Sequence, residues 1–261
     1  MPIRAIITAA AVALFAATSS HSQTVRGEIE DIVRDYLAKH PEEIERIVKD
    51  YLAKHPEVLQ ESLVELLKKR PPAAASASAD KTAAVKSNAT ALFNSTHQVT
   101  LGNPHGDVTM VEFFDFNCIY CKRALGDMLD LLKNDPKLKV VLKEFPVLGQ
   151  ASVEAARVAI AVRMQDQTGK KYIEFHEKLL GGRGPADKAS ALAVAKEIGL
   201  DLARLVLDLE SDEIKLTLEE SSKLARALGL NGTPSYVIGE NVVIGAVGIA
   251  ALRDKIQAAR K

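Results

Sequence analysis

Thr109-Met110-Val111-Glu112-Phe113-Phe114-Asp115-Phe116-Asn117-Cys118-Ile119-Tyr120-Cys121 is the stretch on which the reading of this chain turns. Val108–Phe116 has the length and apolar composition of a buried strand. From Cys118 to about Asn134, the residues Ala124, Leu125, Met128, Leu129 and Leu132 recur at helical spacing. A strand therefore runs directly into a helix, with two cysteines at the junction. With Asn117 as the cap, Cys118 is the first helical residue and Cys121 follows one turn later on the same side. Cα atoms so placed lie about 5–6 Å apart, within reach of a disulfide. The free N–H groups and positive end of the helix favour a thiolate at Cys118, and a thiolate is what attacks a disulfide. Cys121, deeper in the helix, suits the resolving role.

The chain holds only these two cysteines. Their spacing also fits half of a zinc site or a small structural loop. A structural zinc normally takes four ligands, no second cysteine pair exists, and none of the six histidines is near the motif in sequence. No metal site and no cofactor is expected, although copper(I) held by two thiolates stays open. A bridge closing so short a loop restrains the unfolded chain little, which leaves redox chemistry as the stronger use.

Two further features point the same way. Glu112 interrupts an apolar strand, and a buried carboxylate without a partner has a raised pKa. Six residues before Cys118, it can lie beneath the thiols and relay protons; the alternative is an exposed position at a strand edge. Gly232-Thr233-Pro234 stands just before the strand Ser235–Ile238. A cis proline there would free neighbouring backbone groups to pair with an extended substrate chain.

Outward from this centre the pattern is mixed α/β. Ala91–Leu101 reads as a first strand, Gly102-Asn103-Pro104 as a turn and Leu138–Phe145 as a strand. Residues 151–229 look helical, with breaks at 181–185 and near Gly199. Strands return at Ser235–Ile238 and Val242–Ala246, and a last helix runs from Ile249 to about Ala259.

Upstream, Pro71-Pro72-Ala73-Ala74-Ala75-Ser76-Ala77-Ser78-Ala79 has the composition of a linker, which we extend to residue 87. Before it, residues 23–70 form an amphipathic helical segment with an internal repeat. Ile32-Val33-Arg34-Asp35-Tyr36-Leu37-Ala38-Lys39-His40-Pro41-Glu42 recurs as Ile47-Val48-Lys49-Asp50-Tyr51-Leu52-Ala53-Lys54-His55-Pro56-Glu57. Three short helices or one kinked helix, ending with Leu63, Leu66 and Leu67, would carry a narrow apolar stripe that either folds back on its own chain or meets other copies. His40 and His55, each beside Pro at a helix end, read as capping or solvated groups rather than metal ligands.

Met1–Arg4 is charged, Ala5–Ala17 is apolar, and Thr18–Gln23 is small and polar. That order is a secretory signal peptide, 1–22, cleaved after Ser22; a buried helix or an uncleaved anchor are the other readings. The apolar run is shorter than the roughly 18 residues a membrane span needs. The formal net charge of zero and the absence of Trp argue against a nucleic-acid partner.

Together, Cys118-Ile119-Tyr120-Cys121 at a helix start, Glu112 in the preceding strand and Thr233-Pro234 before a late strand resemble the DsbA-like branch of the thioredoxin superfamily. The resemblance covers roughly residues 88–261 and implies a thioredoxin fold with an inserted helical domain at about 151–229. Lys143-Glu144-Phe145-Pro146-Val147-Leu148-Gly149 is similar to the family's strand exit before the insert. The N-terminal segment resembles the region preceding the catalytic domain in the ScsC-like group, which includes trimeric isomerases and copper-tolerance proteins. The resemblance implies Cys118 as nucleophile, Cys121 as resolving thiol, Glu112 as proton acceptor and Pro234 as the cis proline. Thr233, Pro234, Tyr120 and Ile119 would bind substrate. It also implies a homo-oligomer, a trimer by that likeness, a periplasmic location, exported proteins with cysteines as substrates, and a membrane redox partner.

The chain departs from the strongly oxidising members in two places. Tyr120 stands where they have His, and Thr233 precedes the proline where they have Val. Both changes point to a disulfide isomerase or reductase. A DsbA-type dithiol oxidase and a copper-binding or chaperone protein are the alternatives.

Overall fold

The computed structural model describes residues 29–55, 58, 73–166 and 168–260. The expected signal peptide, 1–22, and the last turns of the N-terminal segment with Leu63, Leu66 and Leu67 lie outside the described residues. The chain divides into two compact units, Met1–Pro71 and Pro72–Lys261.

In the first unit, helix α1 (29–39) gives way to α2 (Pro41–Lys54) at His40. The His40 N–H donates to the Tyr36 carbonyl at 3.0 Å, and the His40 carbonyl accepts from Glu43 N–H at 3.1 Å. His40 thus closes one helix and opens the next, and Pro41 sits at the first position, where no N–H is needed. The repeat reproduces its local packing. His40 lies against Tyr36 and His55 against Tyr51, both with ring centroids 4.5 Å apart. Ile29, Ile32, Val33, Tyr36, Ile44, Ile47, Val48 and Tyr51 are 45–68% exposed in the single chain. Ion pairs Asp31–Arg34, Asp35–Lys39, Glu43–Arg46 and Glu45–Lys49 occupy other faces of the same helices.

The second unit runs α3 (Ala73–Ser87), α4 (Ala89–Phe93), β1 (Val99–Gly102), β2 (Val108–Phe114), α5 (Ile119–Asn134), β3 (Leu138–Glu144), α6 (Gln150–Gln165), α7 (Lys170–Leu180), α8 (Lys188–Glu197), α9 (Leu202–Asp208), α10 (Asp212–Ala227), β4 (Ser235–Ile238), β5 (Asn241–Ile244) and α11 (Ile249–Ala259). The strands form one sheet in the order β1-β3-β2-β4-β5. β2 and β3 are parallel, and the other pairs are antiparallel. β2 is central, so its backbone is satisfied on both sides and its side chains alternate between two covered faces. Met110 and Phe114 join a large apolar cluster with Met128 and Leu131 of α5, Val158 of α6 and Phe175 of α7. Val111 and Phe113 join the opposite cluster with Val85 of α3, Leu92 of α4, and Leu224 and Leu228 at the end of α10.

Two expectations are corrected here. The expected strand over Ala91–Leu101 is strand only from Val99, because residues 89–93 form α4. The ammonium groups of Lys143 and Lys139 donate to the Ala91 and Phe93 carbonyls, each at 2.7 Å, and satisfy helix-end acceptors that a strand would have paired. The stretch read as a linker is helical from Ala73. Alanine is the best helix former, and buried Val85 anchors the C-terminal part of α3 to the sheet.

Candidate active site

The sheet delivers the chain to the site through a tight turn. β2 stops at Phe114, two residues earlier than its apolar composition implied, because Asp115 starts that turn. Its Oδ1 accepts from Asn117 N–H at 2.8 Å, and its carbonyl accepts from Cys118 N–H at 3.0 Å. Cys118 itself is the helix cap, with φ −76° and ψ 117°, and its carbonyl receives the Lys122 N–H at 3.0 Å. The cap is therefore one residue later than expected. Asn117 is engaged elsewhere: its Nδ2 donates to Ser152 Oγ at 3.0 Å and to the Ala186 carbonyl at 2.8 Å, while its Oδ1 accepts from Ala186 N–H at 2.7 Å. Cys118 still heads α5, where unpaired N–H groups and the helix dipole favour negative charge.

The two sulfurs are unequal. Both are free thiols; Cys118 retains 6% exposure and Cys121 none. Cys118 Sγ donates to the Thr233 carbonyl at 3.1 Å, joining residues 115 apart in sequence. The Thr233–Pro234 peptide is cis, Pro234 is buried, and its carbonyl accepts from Gly245 N–H at 2.9 Å. Burial pushes the Cys121 thiol far above its ordinary value, and the charge on Glu112 adds to the rise. A backbone hydrogen bond from Asp115 and the side chain of Thr233 oppose it.

Glu112 shares the face of β2 that carries Met110 and Phe114, the face on which both cysteines lie. It is opposite Leu142 on one side and Tyr236 on the other. With 3% exposure, its carboxyl is pushed up to about 8, first by burial and then by the nearby Asp127. Tyr236 is raised strongly by burial and by the same Glu112 and Cys121 charges. The alternative of a strand-edge position for Glu112 does not hold.

Ile119 and Tyr120 are more than half exposed, and the Arg123 guanidinium rests 5.5 Å from the Tyr120 ring centroid. Val147 and Leu148 are also exposed, and their N–H groups donate to Asp115 Oδ2 at 2.8 and 3.0 Å. The structure thus brings Cys118, Cys121, Glu112, Thr233 and Pro234 together, with Ile119 and Tyr120 at the surface beside them. Asp115 and Tyr236 were missed. Asp115 had a signal, being a second carboxylate inside the apolar run. Tyr236 had none beyond its place in a strand.

A thiol at a helix head, a deeply buried second thiol one turn on, and an uncompensated carboxyl beneath them are equipped for thiol–disulfide exchange with proton transfer. The DSBA-like thioredoxin domain family matches residues 109–257, more than half of the chain. The chain belongs to that family. Its fold is the DsbA-like one, a thioredoxin sheet with helices α6–α10 inserted between β3 and β4. The Copper resistance protein ScsC N-terminal domain family matches residues 43–70, which places this DsbA-like chain with the ScsC-like group. A thioredoxin-like oxidoreductase from Silicibacter pomeroyi is 43% identical, with a TM-score of 0.62 over 66% of this chain and 96% of that one. The thiol-disulfide exchange protein alpha-DsbA2 from Wolbachia pipientis is 31% identical, with a TM-score of 0.65 over 69% and 96%. A linker-deletion mutant of ScsC from Proteus mirabilis is 28% identical, with a TM-score of 0.63 over 84% and 93%. Among curated relatives, the chain spans about a quarter of the length of the Na(+)/H(+) antiporter NhaA 1 of Salinispora arenicola, with 28% identity over 163 residues, or 60% of this chain and 24% of that one. No described helix is long and apolar enough to cross a membrane.

Proposed function

We propose that this member of the thiol–disulfide oxidoreductase family is a periplasmic disulfide isomerase or reductase acting on exported proteins. The unequal cysteines carry the reading. The Cys118 thiolate attacks one sulfur of a substrate disulfide, forming a mixed disulfide and releasing the other substrate sulfur as a thiolate. In isomerisation a substrate thiolate then displaces Cys118, and no net electrons move. In reduction Cys121 attacks instead, giving the Cys118–Cys121 disulfide and the reduced substrate, while Glu112 in its ionised form takes the proton that Cys121 must lose. Thr233 and Pro234 would present backbone groups to the substrate chain, and Ile119 and Tyr120 would touch its side chains.

Tyr120 and Thr233 favour the less oxidising direction. Tyr120 brings no charge of its own to the motif, and the Thr233 carbonyl already accepts from the Cys118 thiol. A reduced Cys118 has to be maintained by an electron donor, which for an exported protein is a membrane redox partner. The exposed apolar faces of α1 and α2 support a homo-oligomer, and the match to an ScsC N-terminal domain supports that it is formed by this segment. The signal-like order of residues 1–22 supports export.

The test is refolding of scrambled ribonuclease together with the reduction potential. Recovery of native ribonuclease and a potential well below that of a strong dithiol oxidase are expected. A strongly oxidising couple that cannot reshuffle the scrambled protein would replace this reading with the DsbA-type oxidase. For assembly, light scattering compares the full chain with one lacking residues 23–72, and an unchanged number of chains per particle removes the segment's role in assembly.

A further inference from the structure

The loop between β3 and α6 has little to hold it except one carboxylate. Phe145 N–H still bonds to the Phe114 carbonyl at 2.8 Å, the last rung between β2 and the strand beside it. Gly149 leaves the loop at φ +104°, a conformation that side-chain-bearing residues rarely adopt, and caps α6. Between them, Pro146 has no N–H to give. The N–H groups of Val147 and Leu148 both end on Asp115 Oδ2.

The same buried residue holds the nucleophile's turn. Its Oδ1 receives Asn117 N–H, and its carbonyl receives Cys118 N–H. Asp115 is 2% exposed, so its polar atoms depend on these N–H donors rather than on water. The residues it holds in the loop have the opposite character. Val147 and Leu148 are apolar and project into solvent.

We propose that Asp115 is a positioning residue that sets substrate specificity, by fixing the apolar Val147–Leu148 edge in register with Cys118. The substrate class is then unfolded polypeptide whose cysteine is flanked by apolar residues. The inference rests on the reading that Cys118 attacks protein disulfides, and adds which flanking chemistry that attack selects.

The test uses two disulfide-bonded peptides, one with leucines and one with serines beside the cysteine. Wild-type protein prefers the leucine peptide through KM. Asp115→Asn keeps the side chain's size but replaces one acceptor oxygen with a donor. It loses both loop hydrogen bonds and raises KM for the leucine peptide at least about tenfold, with a much smaller change in kcat. Val147→Ser with Leu148→Ser, all on exposed positions, raises KM similarly, and adding Asp115→Asn to that pair raises it no further. An unaltered KM in Asp115→Asn, a fall confined to kcat, or additive effects would each overturn the proposal. Amide exchange of Val147 and Leu148 in the wild-type protein decides the matter even if Asp115→Asn fails to fold. Protection despite exposed side chains is expected, and fast exchange overturns the clamp. A wild-type protein that reacts with neither peptide refutes the exchange reading itself, whereas equal reaction with both refutes only the specificity.

Discussion

The two faces of the central sheet both bury charge, and they handle it in opposite ways. On one face Lys143 is wholly buried, yet its ammonium meets Glu220 Oε1 at 2.6 Å and the Ala91 carbonyl at 2.7 Å. Lys139, four residues earlier on the same face, meets the Phe93 carbonyl and Asn94 Oδ1. On the other face, among the described residues, Glu112 has no cation offsetting its burial, only a second carboxylate, Asp127. In the parallel ladder Glu112 pairs with Leu142 and Phe113 with Lys143, so neighbouring rungs carry both cases. A paired buried charge fastens elements together. An unpaired one is left ready to exchange a proton, and here it lies on the face that holds the thiols.

The largest effect expected from this contrast is on how stability depends on pH. The Glu112 carboxyl is raised in the folded protein, so between about pH 4.5 and 8 the native state holds a proton that the unfolded chain has released. Its contribution is fully present below that window and is lost as pH rises through it. The loss is on the order of 5 kcal/mol. In Glu112→Gln, urea denaturation with both thiols reduced should show that part of the slope removed. An unchanged slope would place the titration elsewhere. The same variant should slow the step in which Cys121 resolves a mixed disulfide.

The paired face predicts a smaller loss with no redox consequence. Lys143→Met leaves Glu220 without its cation and should cost about 3 kcal/mol. That is the low end for a broken buried pair, because the Glu220 side chain keeps 21% exposure. Denaturant midpoints measure the loss, while Cys118 kinetics should stay within a factor of two. A comparable drop in thiol reactivity would mean that the faces are not separable. Smaller again is Ser211→Ala. Ser211 caps α10 by accepting from Glu213 N–H at 3.2 Å, and α10 contributes Ile214 to one cluster and Leu224 to the other. Losing the cap should cost about 1 kcal/mol.

Much of this was legible in the sequence because the decisive signals are local. A strand-length apolar run, a helix-period run and two cysteines at the junction specify the geometry around Cys118 without reference to distant residues. Glu112 was legible because charge in a central strand is costly and therefore conspicuous. The insert was legible because its helical periodicity is unbroken over most of 151–229. What escaped reading depends on groups brought in from afar. Residues 91–93 look like strand until Lys139 and Lys143 reach across to the Phe93 and Ala91 carbonyls. Asn117 looked like a helix cap, and Ala186, 69 residues later, takes its side chain instead. Asp115 could be seen as an oddity, but not as the residue on which a loop 32 residues away depends.

The assignment of the two sulfurs is tested most directly by trapping. Cys121→Ser and Cys118→Ser are each mixed with a disulfide-bonded protein, quenched with acid and examined by intact mass spectrometry. Cys121→Ser should accumulate a mixed disulfide at Cys118, since attack proceeds and resolution cannot, and Cys118→Ser should accumulate none. Capture by Cys118→Ser at an equal rate would contradict the account, because it would make the buried thiol above Glu112 the nucleophile.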